Sequence, residues 1–200
     1  MKKPKTIVVA VTLVISSASA MAMAQDGQFF INGNLGQSNF SNSLTGGWDK
    51  TDTQGALRLG YAWHGVWDYG IEAGYADLGQ ASQRGSYSYT DLNGKTQQAA
   101  YQGSFSARGW LLGGNLKYNF NPSWYLSARG GWFQPRTTSK YSSSGIALRQ
   151  SQNITQDYFG LGAGYNVSRS WSLGIGYDYY DLGRDFGHVN AYSATAEFRF

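Results

Sequence analysis

Cysteine is absent from the 200 residues, which excludes disulfides, zinc–thiolate sites and cysteine nucleophiles. The fold must therefore hold by hydrogen bonding and closure. Charge is scarce too, at 14 % Asp, Glu, Lys and Arg against about 25 % in an ordinary soluble domain. The apolar run from Ile7 to Ile15 is too short for a membrane-spanning helix, which needs about 20 residues, and no later stretch does better. If this chain enters a membrane, strands must take it there. What the chain has instead is glycine (27) and aromatic rings (7 Trp, 15 Tyr, 10 Phe), a profile that suits a barrel whose outer surface is not in water.

The start of the chain reads as an export leader. Lys2, Lys3 and Lys5 precede the apolar run, and Ala22-Met23-Ala24 is a small-x-small cleavage pattern. The expected organisation is a signal peptide over 1–24, cut after Ala24 with Ala20 as the alternative, and one barrel domain over 25–200. Three of the 16 basic residues and none of the 12 acidic ones lie in the leader, so the formal charge of +4 falls to +1 without it. A nucleic-acid partner loses its electrostatic support.

Three segments share a pattern: Gly60-Tyr-Ala-Trp before Trp67, Lys117-Tyr-Asn-Phe before Trp124, and Gly164-Tyr-Asn-Val before Trp171. Each reads as a strand end, a three-residue turn and a tryptophan that opens the next strand. This register sets Trp63 opposite Trp67, Tyr61 opposite Tyr69, Leu59 opposite Ile71 and Leu57 opposite Ala73. In the third hairpin it sets Tyr165 opposite Leu173, Ala163 opposite Ile175 and Leu161 opposite Tyr177. Eight strands follow: 29–40, 53–63, 67–78, 101–120, 124–141, 156–167, 171–182 and 190–200. Longer polar connections at 41–52, 79–100, 142–155 and 183–189 alternate with the tight turns, and the strand number is even, as a bacterial barrel requires.

Strand alternation sorts the side chains into two faces. In Ala191 to Phe200, Tyr192, Ala194, Ala196, Phe198 and Phe200 share one face, and Ser193, Thr195, Glu197 and Arg199 the other. The less apolar face is rich in small residues, such as Ala56, Gly60 and Ala62, or Gly160, Gly162 and Gly164, which suits a narrow interior. The apolar face carries Tyr61, Trp63, Trp67, Tyr118, Trp124, Tyr165 and Trp171 near the turns. Such amphipathic rings, gathered at one level, predict a membrane-interface girdle. The fold class expected is all-β, an eight-stranded antiparallel up-and-down transmembrane β-barrel.

On FFINGNLGQSNF at Phe29, YGIEAGYADLG at Tyr69, GWLLGGNLKY at Gly109 and the closing AEFRF, the chain resembles the transmembrane domain of OmpA-type proteins and the small OmpX/Ail-like outer-membrane barrels. The resemblance implies a place in the bacterial outer membrane, with Phe198 and Phe200 as the signal read by the barrel-assembly machinery. It also implies surface interaction or adhesion through the outer loops. OmpA-type proteins often add a periplasmic domain; with nothing after Phe200, wall anchoring is not expected and the OmpX/Ail pattern is nearer.

The face assignment places Arg58, Lys117, Arg129 and Arg199 inside with Asp68, Glu72, Asp178 and Glu197, four cations against four anions. Arg58 is expected directly across from Glu72. By resemblance Glu72 holds the place of an interior gate glutamate, although Asn115 stands at the lysine position and a glycine at the arginine position. A paired, plugged core is the first reading, and a small gated ion-conducting pore the second. A lipid A-modifying enzyme is a distant third: His64 lies in an inner turn and His188 in the last outer loop near Asp181 and Asp185, and neither organises a triad. No catalytic residue, metal or cofactor is expected. Arg136, Lys140 and Arg149 precede the next acid, Asp157, and Arg136 and Lys140 are expected to contact lipopolysaccharide phosphates. Polar loops such as SYSYTDLNG at Ser86 suit adaptable contacts with a host or other cell-surface ligand.

Overall fold

The computed structural model describes residues 27–41, 49–65, 67–90, 95–143, 146–153, 155–183 and 186–200. The leader at 1–24 lies outside them. The strands are β1 (Gly27–Ser41), β2 (Thr51–Trp63), β3 (Trp67–Thr90), β4 (Thr96–Asn119), β5 (Trp124–Ser143), β6 (Ile146–Asn153), β7 (Gln156–Asn166), β8 (Trp171–Asp181) and β9 (His188–Arg199). Neighbours pair antiparallel in the order β4-β3-β2-β1-β9-β8-β7-β5, and a β4–β5 ladder closes the ring. Eight strands thus form the barrel. β6 stands outside the ring, paired with the outer part of β5 from Arg136 to Ser143.

Two expected loops are therefore mostly sheet. β3 and β4 stay in register to Thr90↔Thr96, and residues 146–153 fold back on β5. The Ser-Tyr-Ser-Tyr run at Ser86 is polar in composition, but it alternates with period two and its backbone finds a complete partner. The outer ends of β3, β4 and β5 with β6 make a four-stranded wall that rises beyond the ring. From Asp77 to Thr90 it runs roughly 40 Å along the strand at about 3.3 Å per residue.

The turn registers also differ. The third hairpin pairs Tyr165 with Leu173, Ala163 with Ile175 and Leu161 with Tyr177, as expected. Its three-residue turn closes through Val167 N–H donating to the Trp171 carbonyl at 2.9 Å. In the first hairpin Trp63 pairs with Tyr69, Tyr61 with Ile71, Leu59 with Ala73 and Leu57 with Tyr75, a shift of two residues. The Asp68 carboxylate explains the wider turn, because it accepts Gly65 N–H at 3.2 Å and lies 3.3 Å from His64 Nδ1. A slip of two leaves every face unchanged, so inside and outside survive the shift.

Outward apolar side chains form a continuous belt. Its inner edge holds Trp67, Trp124 and Trp171, each about half exposed, and Trp63, which stacks on Tyr69 at 5.5 Å. A second aromatic ring, not expected from the turn motifs, marks the outer edge with Tyr75, Trp110, Trp132, Phe159 and Tyr192. From Tyr118 to Trp110 along β4 is roughly 27 Å of strand. At a tilt of about 40°, and with the rings themselves added, this approaches the roughly 25 Å apolar band of outer-membrane barrels. Leu57, Leu59, Ile71, Leu112, Leu126, Leu161 and Ile175 fill the space between.

Candidate functional site: the lumen and the outer rim

All eight interior charges predicted from alternation point into the barrel. They form two groups. Near the inner end Lys117 Nζ donates to Glu197 Oε1 at 2.5 Å, and Arg199 Nε donates to the same oxygen at 2.9 Å. Asn32 Nδ2 donates to the other Glu197 oxygen at 3.3 Å, and Lys117 also lies 4.4 Å above the Tyr125 ring. Asp68 accepts from Asn119 Nδ2 at 3.1 Å at the mouth.

The second group lies deeper. Arg58, fully buried, is 3.4 Å from Glu72 and 3.8 Å from Asp178, and Arg129 reaches Asp178 at 3.4 Å. Arg58 is not directly across from Glu72, as expected from the hairpin; its ladder partner is Gly74, and Glu72 pairs with Gly60. The ion pair forms diagonally because the guanidinium is long enough to cross two residues. Arg58 also donates to Asn34 Oδ1 at 2.7 Å and to the Tyr180 hydroxyl at 3.0 Å. Glu72 accepts from the Tyr158 hydroxyl at 3.0 Å and from Asn115 Nδ2 at 3.2 Å. Asn115 thus stands beside the carboxylate as a neutral donor, and β2 supplies the positive charge. Gly160 makes room for this layer, since a Cβ there would collide with Asp178 and Arg129.

Tyr158, Tyr180 and Asn34 carry no motif that marks them in the sequence, although their parity puts them inside with Gly160, Asp178 and Asn32. A cavity of about 40 Å³ separates the groups, bounded by Glu72, Lys117, Arg129 and Glu197 and reaching His64 and Gln28 at the inner end. It has room for a few waters.

Beyond Tyr158 and Tyr180 the interior changes character. Phe40, Leu78, Phe105, Phe133, Leu182 and Val189 are each 4 % exposed or less and pack as one cluster with Ala81, Ala107 and Ala191. Phe186, from the turn between β8 and β9, stacks on Phe105 at 5.2 Å.

On the outside, Arg136 and Lys140 are exposed on β5. The Cα pairing sets Arg136 directly opposite Arg108 of β4, and Lys140 opposite Arg149 of β6. Arg108 is far from the Arg136–Arg149 run in sequence, and only the β4–β5 register brings it there. It lies two residues beyond Trp110, on the same face. His188 stacks on Tyr179 at 4.9 Å and pairs with Asp181 across β8–β9; Asp185 is outside the described residues. At the closing end Phe200 N–H donates to the Phe29 carbonyl at 3.0 Å, and Phe198 packs on Trp171 at 4.9 Å.

Among curated proteins none matches this chain. Two solved structures of Ail, the attachment invasion locus protein of Yersinia pestis, share its fold. One, in complex with the heparin analogue sucrose octasulfate, is 19 % identical over 88 % of this chain and 99 % of Ail, with a TM-score of 0.56. The other is 18 % identical over the same shares, with a TM-score of 0.55. Neisserial surface protein A is 15 % identical over 86 % of this chain and 97 % of its own, with a TM-score of 0.45. A family model described as the outer membrane protein beta-barrel domain matches residues 8–200, and with the girdled eight-stranded ring this shows that the chain belongs to that family of bacterial outer-membrane proteins.

Proposed function

We propose that this barrel is a structural and surface-interacting protein of the outer membrane, not an enzyme, and that the four-stranded wall is its interacting element. The wall carries the reading. Strands of this length exceed what a membrane crossing needs, about 9 to 11 residues, and the excess is a rigid polar sheet held above the lipid. Ser86, Ser88, Thr90, Thr96, Gln98 and Gln102 are exposed on it, small hydrogen-bonding groups on a fixed scaffold. The buried ion pairs and the filled outer lumen favour this role over a conducting pore.

The wall is seated by charge. Arg108 and Arg136 stand just beyond the Trp110–Trp132 girdle, at the depth of lipid phosphates, with Lys140 about 13 Å farther along β5, and directly opposed like charges destabilise a sheet unless an anion lies between them. Lipopolysaccharide phosphates are the natural counter-ions there. Trp63, Trp67, Trp124 and Trp171 anchor the opposite interface, and Phe198 and Phe200 serve recognition by the barrel-assembly machinery. The test is a deletion strain complemented with full-length protein or with a barrel whose 82–104 and 138–151 segments are replaced by short turns. The trimmed barrel should reach the outer membrane and restore envelope integrity while cell-surface binding falls to the level of the deletion strain. Unchanged binding by the trimmed form would remove the wall from the function.

A further inference from the structure

The lumen is lined by charges at one end and mainly by apolar side chains at the other. In the polar half the deeper ion pairs are loosely knit: Arg58–Glu72 and Arg129–Asp178 are 3.4 Å apart and Arg58–Asp178 is 3.8 Å. Both Asp178 carboxylate oxygens and Arg58 Nε are buried without a hydrogen-bond partner. Buried charges left in this state call for water, and their ion-pair partners Glu72 and Arg129 line the cavity of about 40 Å³. At the outer end the rings close on one another. Phe40 meets Phe105 edge-on at 5.8 Å, Phe105 stacks on Phe186 at 5.2 Å, and Phe133 packs on Tyr180 at 5.1 Å.

We propose that the barrier to water and ions is this aromatic cap, not the Arg58–Glu72 layer, and that the polar lumen beneath it is a hydrated vestibule continuous with the periplasm. An ion can exchange water for the fixed charges and amides of the polar layer. In the cap it meets mainly apolar surface, with Ser38, Gln54 and Thr137 as the buried polar side chains at that level, and transfer of a bare charge there is prohibitive. The cap draws on six of the eight ring strands: β1 (Phe40), β3 (Leu78), β4 (Phe105), β5 (Phe133), β8 (Tyr180) and β9 (Val189). Phe186 covers it from a turn held by Gly187 N–H donating to the Gly183 carbonyl at 2.9 Å.

The experiment compares the full chain with two variants, Glu72→Gln and the triple Phe105→Ala, Phe133→Ala, Phe186→Ala, in planar bilayers with potassium chloride. Folding is confirmed by the heat-shifted gel mobility of intact barrels. The triple variant should conduct at least tenfold above the unaltered protein, and Glu72→Gln should match the unaltered protein. Conductance through Glu72→Gln, or a folded triple variant that stays silent, would overturn the assignment. If the triple variant does not fold, the absence of native cysteine allows a second reading. Thr195→Cys places one thiol on the vestibule wall. In oriented liposomes a small charged thiol reagent should modify it from the periplasmic face and leave it intact from the extracellular face. Modification from the extracellular face, or from neither, would sink the proposal.

Discussion

Within the lipid belt and in the collar above it, the same strands wear opposite chemistries. On β5, Leu126 and Trp132 face out and Arg129 faces in; a few residues later Gln134 and Arg136 face out and Phe133 and Pro135 face in. β4 does the same, with Leu112 out and Lys117 in below, and Arg108 out with Phe105 and Ala107 in above. The backbone period never changes, so the inversion is written in side chains alone. In the belt, acyl chains solvate the outer face and the inner face is left to pairs of charges. In the collar, water surrounds the wall and the interior is the only place to bury apolar area, at about 25 cal/mol per Å². β3 needs a bulge to manage the change. Its register to β4 shifts between Asp77 and Gln80, where Gly79 takes φ +78°, so that Leu78 and Ala81 both face inward while Asp77 and Gln80 face out.

The strongest way to break this contrast is to remove the defining group of each region. Glu72→Ala leaves Arg58 buried with one of its two carboxylate partners and should cost about 3–5 kcal/mol. Phe133→Ala empties the centre of the collar and should cost about 3–5 kcal/mol as well. Thermal unfolding followed by gel mobility would report both. A loss under about 1 kcal/mol for Phe133→Ala would mean that the collar has no core of its own. The boundary can be sharpened with one charge moved up the outer face. Ile71→Lys, in mid-belt, should cost about 2–4 kcal/mol in a bilayer, and Gln134→Lys, level with Trp110 at the outer girdle, about 0–1 kcal/mol. Equal costs would erase the belt edge drawn at Trp110 and Trp132.

The belt is legible in the sequence and the collar is not, for one reason. Alternation sorts residues by face, and the belt follows one rule from end to end, so parity alone assigns Arg58, Asp68, Glu72, Lys117, Arg129, Asp178, Glu197 and Arg199 inward. The collar reverses the rule. Phe133 and Phe105 are aromatic, and aromatic side chains on a barrel strand read as lipid-facing unless parity is followed strictly past the girdle. The wall is hidden because polarity reads as a mark of loops. Ser86 to Thr90 and Thr96 to Ala100 are polar or small in composition since neither borders lipid, yet their ladder is unbroken. The turn at His64 departs from the expected register for a local cause, the Asp68 side chain, which no strand pattern contains.

The smallest expected effect tests where the collar meets the lipid. Arg136→Ala removes one member of a directly opposed cationic pair, with Arg108 as its cross-strand neighbour. In neutral detergent this relieves repulsion, so stability should stay level or rise by about 0.2–1 kcal/mol. In membranes containing lipopolysaccharide the sign should reverse, because the same guanidinium then has phosphate to bind, a charge-assisted contact worth about 1.5–3 kcal/mol at most. Salt should shrink the second effect, since exposed charges are screened over about 8–10 Å at roughly 0.1–0.15 M. A variant that is destabilised equally in both settings would show that Arg136 acts through packing of its stem on the sheet, and the lipid headgroup would drop out of the account of this rim.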